Sequence, residues 1–123
     1  MLRPEVFDVS EEPSAEEIFA LLDDEYARAI LAQTSIEPMS AKTLSDRCDA
    51  SLPTIYRRTE RLIDCDLLAE QTEIGESGHH YSVFEARLDS LTVEVDEGDI
   101  SVSLDTGRAE DPADRFTDLW EGI

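Results

Sequence analysis

Lysine is almost absent: nine of the ten cationic residues are arginine and Lys42 alone is lysine, against 30 Asp plus Glu, a net charge of −20 over 123 residues. The broad basic surface usually expected of a nucleic-acid binder is therefore missing, and any such contact has to be local. Cysteine is scarce as well. Cys48 and Cys65 stand alone with no CxxC spacing, which suggests neither a disulfide framework nor a zinc site. No apolar run approaches the roughly 18 residues of a membrane span. The opening MLRPEVFDVSEEPS has neither a basic segment nor an apolar one of the kind that directs export. A soluble, cytoplasmic protein without membrane contact is expected. Glycine and proline number only five each and 41% of residues are hydrophobic, so the chain is expected to fold despite its charge. Its length suits one domain.

The acids are spread along the whole chain instead of forming one tail. An acidic, lysine-poor surface resembles that of proteins from organisms that keep molar salt in the cytoplasm, where charge maintains solubility and salt screens the repulsion. A halophilic origin is the expectation.

Residues 1–13 are polar and bracketed by Pro4 and Pro13, and read as a loose arm. In SAEEIFALL, Ser14 and Glu17 have capping-box spacing and Ile18, Leu21 and Leu22 form a helical stripe. Asp23 or Asp24 can cap a second helix in which Tyr26, Ala27, Ile30 and Leu31 recur at helical spacing, up to the Pro38 region. Ser40 precedes a short helix, AKTLSDRCD. After a turn at Asp49 and Ala50, Ser51 opens a longer one, LPTIYRRTERLIDC, with Pro53 tolerated in its first turn.

The period then changes. LLAEQTEI and YSVFEARL suit strands joined by GESGHH, and LTVEVD and DISVSLD alternate around an EG turn. Finally, DPADRFTDLW carries Asp111 as a cap, Pro112 at the first helical position, and Phe116, Leu119 and Trp120 on one face. Helices separated by a tight turn and followed by a glycine-tipped hairpin describe an α+β winged helix-turn-helix, here with an additional C-terminal β-hairpin and a C-terminal helix. The expected division is an arm over 1–13, the winged domain over 14–88, and a dimerisation part over 89–123.

On a helical wheel from Ser51, Leu52, Ile55, Thr59, Leu62 and Ile63 cluster on one side. Thr54, Arg57 and Arg61 face the other, with Arg58 on one flank and Tyr56 on the opposite one. No acid occurs between Ser51 and Thr59, and the imbalance over residues 40–88 is mild, six cations against nine anions. Residues 1–39 carry two against ten, and residues 89–123 two against eleven. Arginine suits such a face because its planar fork pairs with guanine O6 and N7 or with phosphate oxygens. Ser51, Thr54, Arg57 and Arg61 are expected to read the major groove, and Tyr56, Arg58 and Lys42 to hold phosphates. Ser77, His79 and His80 on the wing are expected to meet the neighbouring backbone. The bland alternative is a solvated helix face laced by pairs such as Arg57 with Glu60 or Arg61 with Asp64. His79 and His80, adjacent on a strand, point to opposite faces and make a poor metal pair.

The segment LSDRCDASLPTIYRRTERLIDCDLL resembles the DNA-reading unit of ArsR-type winged-helix regulators of the small haloarchaeal kind, a resemblance extending over residues 14–88. It implies a homodimer on near-palindromic promoter sites in double-stranded DNA. The metal-sensing branch carries Cys-x-Cys on the helix before the reading helix, where this chain has Cys48 only. No metal or other cofactor is expected. Some regulators of this kind answer oxidants. Cys65 follows Arg61 by four positions, an arrangement that favours thiolate, but a helix length between Cys48 and Cys65 is too far for a bridge, and the reading preferred is that both are small, partly buried residues.

Uncovered apolar stripes point the same way as the implied dimer: Ile18, Leu21 and Leu22 with Phe116, Leu119 and Trp120 are the expected two-fold interface. Acids carried towards DNA would take up inorganic cations at that interface. No catalytic set of side chains is recognisable, so no enzymatic activity is expected. The rival is a protein-interaction module on a winged-helix scaffold that does not bind DNA.

Overall fold

The computed structural model describes residues 14–107. The arm expected over 1–13 and the helix expected from Asp111, with Phe116, Leu119 and Trp120, lie outside the described residues.

Helices come first. Ser14 accepts a hydrogen bond from the Glu17 N–H and opens α1 (Ala15–Asp23). Asp24 ends α1 through its own N–H to the Leu21 carbonyl, and its carboxylate accepts from the Ala27 N–H to open α2 (Glu25–Thr34). Ser40 caps α3 (Ala41–Cys48), and Ser51 caps α4 (Leu52–Asp64), in which Pro53 occupies a position that needs no N–H donor. Between α3 and α4 the turn rests on Asp49 in the left-handed region (φ 54°), with the Ala50 N–H reaching back to the Ser45 carbonyl.

Two antiparallel sheets follow. The first has the order β1 (Met39–Ser40), β3 (His80–Ala86), β2 (Leu68–Ile74), with Met39 opposite Phe84 and Gln71 opposite Val83. The two-residue β1 has no counterpart in the sequence reading, because a strand so short shows no alternation. The second sheet pairs β4 (Ser90–Asp96) with β5 (Asp99–Asp105). Its turn puts Glu97 and Gly98 at φ 50° and 84°, the two positive values that a type I′ hairpin requires. This is the α+β winged helix-turn-helix with an additional hairpin.

The core gathers Ile18, Leu21, Ile30, Leu44, Ile55, Leu62, Leu67 and Leu68, all essentially without exposure. Burying one such side chain contributes roughly 1.5–3 kcal/mol. Contrary to the two-fold interface read from their stripe, Ile18 and Leu21 are consumed inside their own core and have no area left for a second copy, and of the three only Leu22 is partly open. The β4–β5 hairpin leans on α1 in the same way, with Val102 packed on Ala15 and Phe19. Farther along the same hairpin Val93 and Val95 remain exposed. Among the described residues no helix is long and apolar enough to cross a membrane.

Candidate nucleic-acid interface

The α4 helix packs Ile55, Thr59 and Leu62 inward. Thr59 satisfies its buried hydroxyl on the Tyr56 carbonyl, the local bond a threonine needs in such a position. Leu52 departs from the expected inner stripe: it is 42% exposed, since the first turn of the helix projects past the core. The exposed face is accordingly rotated from the wheel drawn on the sequence. It carries Pro53, Tyr56, Arg57, Glu60, Arg61 and Asp64, whereas Thr54 sits half-buried at its margin.

Arg57 and Arg61 are thus presented together on the outer face of the helix that follows the tight turn. Thr54 is tied into the cap, its N–H and hydroxyl both engaging Ser51, and Arg57 lies 3.5 Å from the Thr54 Oγ1. Pro53 has no N–H and the Thr54 N–H is occupied, which narrows the backbone donors that a phosphate could use at this helix end. The local pairs Arg57–Glu60 and Arg61–Asp64 are not formed; among the described residues, ion pairs join Arg58 to Asp24 and Arg87 to Asp66.

Arg58, expected on phosphate, is engaged elsewhere. Its Nε donates to the Asp24 carboxylate at 2.8 Å and its guanidinium lies 6.0 Å from the centre of the Tyr26 ring. The hydrogen bond to Asp24 and the nearby negative charge raise its pKa against the opposing effect of burial. Burial alone would push the Asp24 carboxyl up, but hydrogen bonds from Arg58 and the Ala27 N–H, with the charge of Arg58, hold it below the ordinary 3.8. Sequence reading missed Asp24 in this role because 34 positions separate it from Arg58. Glu60 and Asp64 do lie on the exposed face, but without the ion pairs to Arg57 and Arg61 that the bland alternative required.

Lys42 is exposed in the first turn of α3. On the wing, the Gly75 N–H meets the His79 carbonyl and Gly78 adopts φ 85°, which leaves Ser77, His79 and His80 exposed at the tip. A shallow groove between α4 and the sheet is lined by Tyr56, Arg57, Glu60, Asp64 and Glu70, so the acids begin at Glu60, directly after the acid-free stretch.

Both cysteines are covered, Cys48 partly and Cys65 fully. Cys65 is 1% exposed, and burial, with Glu17 and Asp64 nearby, pushes its thiol from 9.0 to about 11 despite Arg61. The thiolate that its spacing from Arg61 suggested is therefore disfavoured. Cys48 is also raised by burial.

Residues 22–71, from the end of α1 into β2, match the model of a helix-turn-helix domain family. The matched stretch contains α2, α3, the turn and α4. No curated protein matches the chain. Among solved structures, a possible transcriptional regulator from Methanosarcina mazei Go1 is similar over 65% of this chain and 66% of that chain, with 13% identity and a TM-score of 0.48. Just over a third of that chain therefore lies outside the match.

Proposed function

We propose that this chain is a transcription regulator that binds double-stranded DNA sequence-specifically, as a homodimer on near-palindromic promoter sites, in a cytoplasm of high salt. One observation carries the reading: Arg57 and Arg61 stand exposed on the helix after the turn, with no acid between Ser51 and Thr59. In a helix-turn-helix the N-terminal part of the second helix meets base edges in the major groove, and that is where this chain has excluded negative charge. Arg57 and Arg61 would read guanine, Ser51 and Thr54 would set the helix end against the backbone, and Tyr56, Lys42 and the wing residues Ser77, His79 and His80 would hold phosphates. Counting the sequence resemblance, the regulator is of the ArsR-like, haloarchaeal kind and assigned no reaction and no cofactor. A role in stress response rests on that resemblance alone.

The exposed Val93 and Val95 of the additional hairpin support a second copy as partner, now that Ile18 and Leu21 are internal. Light scattering at molar KCl checks this: the full chain is expected as a dimer and Val95→Asp as a larger monomer fraction. The second reading, an interaction module that avoids DNA, is favoured by Glu60, Asp64 and Glu70 beside Arg57. Anisotropy of a labelled random duplex, followed by selection from a random-sequence pool, separates the two. The regulator binds weakly to any duplex and enriches a motif; the module does neither.

A further inference from the structure

Three structural tasks converge on one residue. Asp24 closes α1 with its N–H on the Leu21 carbonyl at 3.1 Å, opens α2 by accepting from the Ala27 N–H at 2.7 Å, and accepts from Arg58 Nε at 2.8 Å. The same oxygen, Oδ2, takes the last two bonds. Both side chains are three-quarters covered, at 24% exposure each, and Tyr26 flanks the guanidinium. The junction of the first two helices is thus bonded directly to the middle of α4.

We propose that Asp24 and Arg58 are positioning residues that set the rotation of the reading helix, with Arg58 committed to Asp24 and not to phosphate. This rests on the DNA-binding reading above. Apolar packing by Ile55, Thr59 and Leu62 holds α4 against the core but is non-directional, so the helix can turn slightly about its own axis at little cost. A charge-assisted hydrogen bond is directional. Arg58 adjoins Arg57 in sequence and precedes Arg61 by three positions, so a rotation at position 58 moves both exposed guanidinium groups together across the base edges. For phosphate to capture Arg58, the Asp24 carboxylate would lose its charged partner in a largely covered site, a cost that an exposed arginine such as Arg57 does not carry.

The test uses the full chain, with wild type, Asp24→Asn, Arg58→Met and the double variant. Asparagine caps a helix as well as aspartate, so the first variant removes the ion pair while keeping α2 capped. Methionine retains an apolar stem without the charge. Circular dichroism and thermal melts establish that each is folded, and selection from a random-sequence pool gives base preference. Affinity for the best site is then measured against KCl concentration.

The expected result is the same broadening of base preference in both single variants, an affinity loss of about tenfold for the best site, and no further loss in the double variant, because the pair acts as one unit. The salt slope stays at the wild-type value in all three. Arg58→Lys, which keeps a charged donor for Asp24, is expected to recover part of the preference. The inference is overturned if Arg58→Met weakens all sequences alike and lowers the salt slope by about one per protomer while Asp24→Asn leaves preference intact, since Arg58 would then be a phosphate ligand. It is also overturned if the double variant loses the sum of the two single losses. A wild-type chain that binds no duplex at any salt fails earlier, and removes the DNA reading together with the inference.

Discussion

Neutralising the acids on the exposed face of α4, by Glu60→Gln with Asp64→Asn, is expected to change how binding responds to salt more than how the protein folds. Both side chains are exposed beside Arg57 and Arg61. Arg58 is withheld by Asp24, so two exposed arginines per protomer remain on this face, and their charges in the groove, four in a dimer, displace about as many counterions from the DNA even where a guanidinium reads a base. Released counterions alone would then give a log–log slope of about −3.6, a loss of about 150-fold in affinity between 0.5 and 2 M KCl, both roughly estimated from 0.9 ions per phosphate. Glu60 and Asp64 carried to the DNA backbone retain cations at the interface instead, roughly one for each acid. Uptake then offsets release, and the wild-type slope is expected between about −2 and slightly positive values. The double variant should return to about −3.6 and bind more tightly than wild type at the low end of the range. Fluorescence anisotropy of one labelled operator over this range measures both slopes. A wild-type slope already near −3.6, unmoved by the double substitution, would falsify the role given to these acids and leave them with solubility alone.

Arg57→Ala and Arg61→Ala should each cost about 1–3 kcal/mol on the preferred site and relax the base preference at one position, as read by selection from a random pool; unchanged preference in both removes them from the reading face. Leu62→Ala, at a fully buried position on the inner side of α4, should destabilise the fold by about 2–5 kcal/mol in denaturant titration, and a loss under 1 kcal/mol would contradict the packing described. Burial raises the Cys65 thiol to about 11, above its unfolded value of about 8.5. The stability it contributes is therefore fully present below about pH 8.5 and falls as pH climbs towards about 11, because the unfolded thiol ionises first. Cys65→Ser should flatten that alkaline decline, and thiol reagents should label folded Cys65 slowly at neutral pH. The opposite sign operates at Asp24, whose lowered value favours folding above about pH 4 and withdraws that support as pH falls through the folded value. Melting profiles of Asp24→Asn should lose this acid-side increment.

Much of the architecture was legible along the chain because its signals are local. Ser14, Ser40 and Ser51 announce helix starts through bonds to an N–H three residues on, and Glu97 and Gly98 announce a hairpin turn; each device works within a few residues. The absence of acid from Ser51 to Thr59 is likewise a property of sequence alone, and it marks the candidate interface without reference to the fold. Tertiary structure decided what depends on distant partners. It paired Met39 with Phe84 to make β1. It enclosed Ile18 and Leu21, whose helical stripe reads the same whether it meets the chain's own core or a second copy. It left Leu52 exposed although its helical period placed it with the inner stripe, a matter of where the core ends and not of period. The Cys65 thiol is governed by burial at the end of α4, which outweighs the Arg61 charge that sequence spacing reveals. And Arg58 belongs to Asp24 because helix packing brings a capping carboxylate to the reading helix, so that a cation indistinguishable in sequence from its neighbour Arg57 holds the helix in place while the neighbour faces outward.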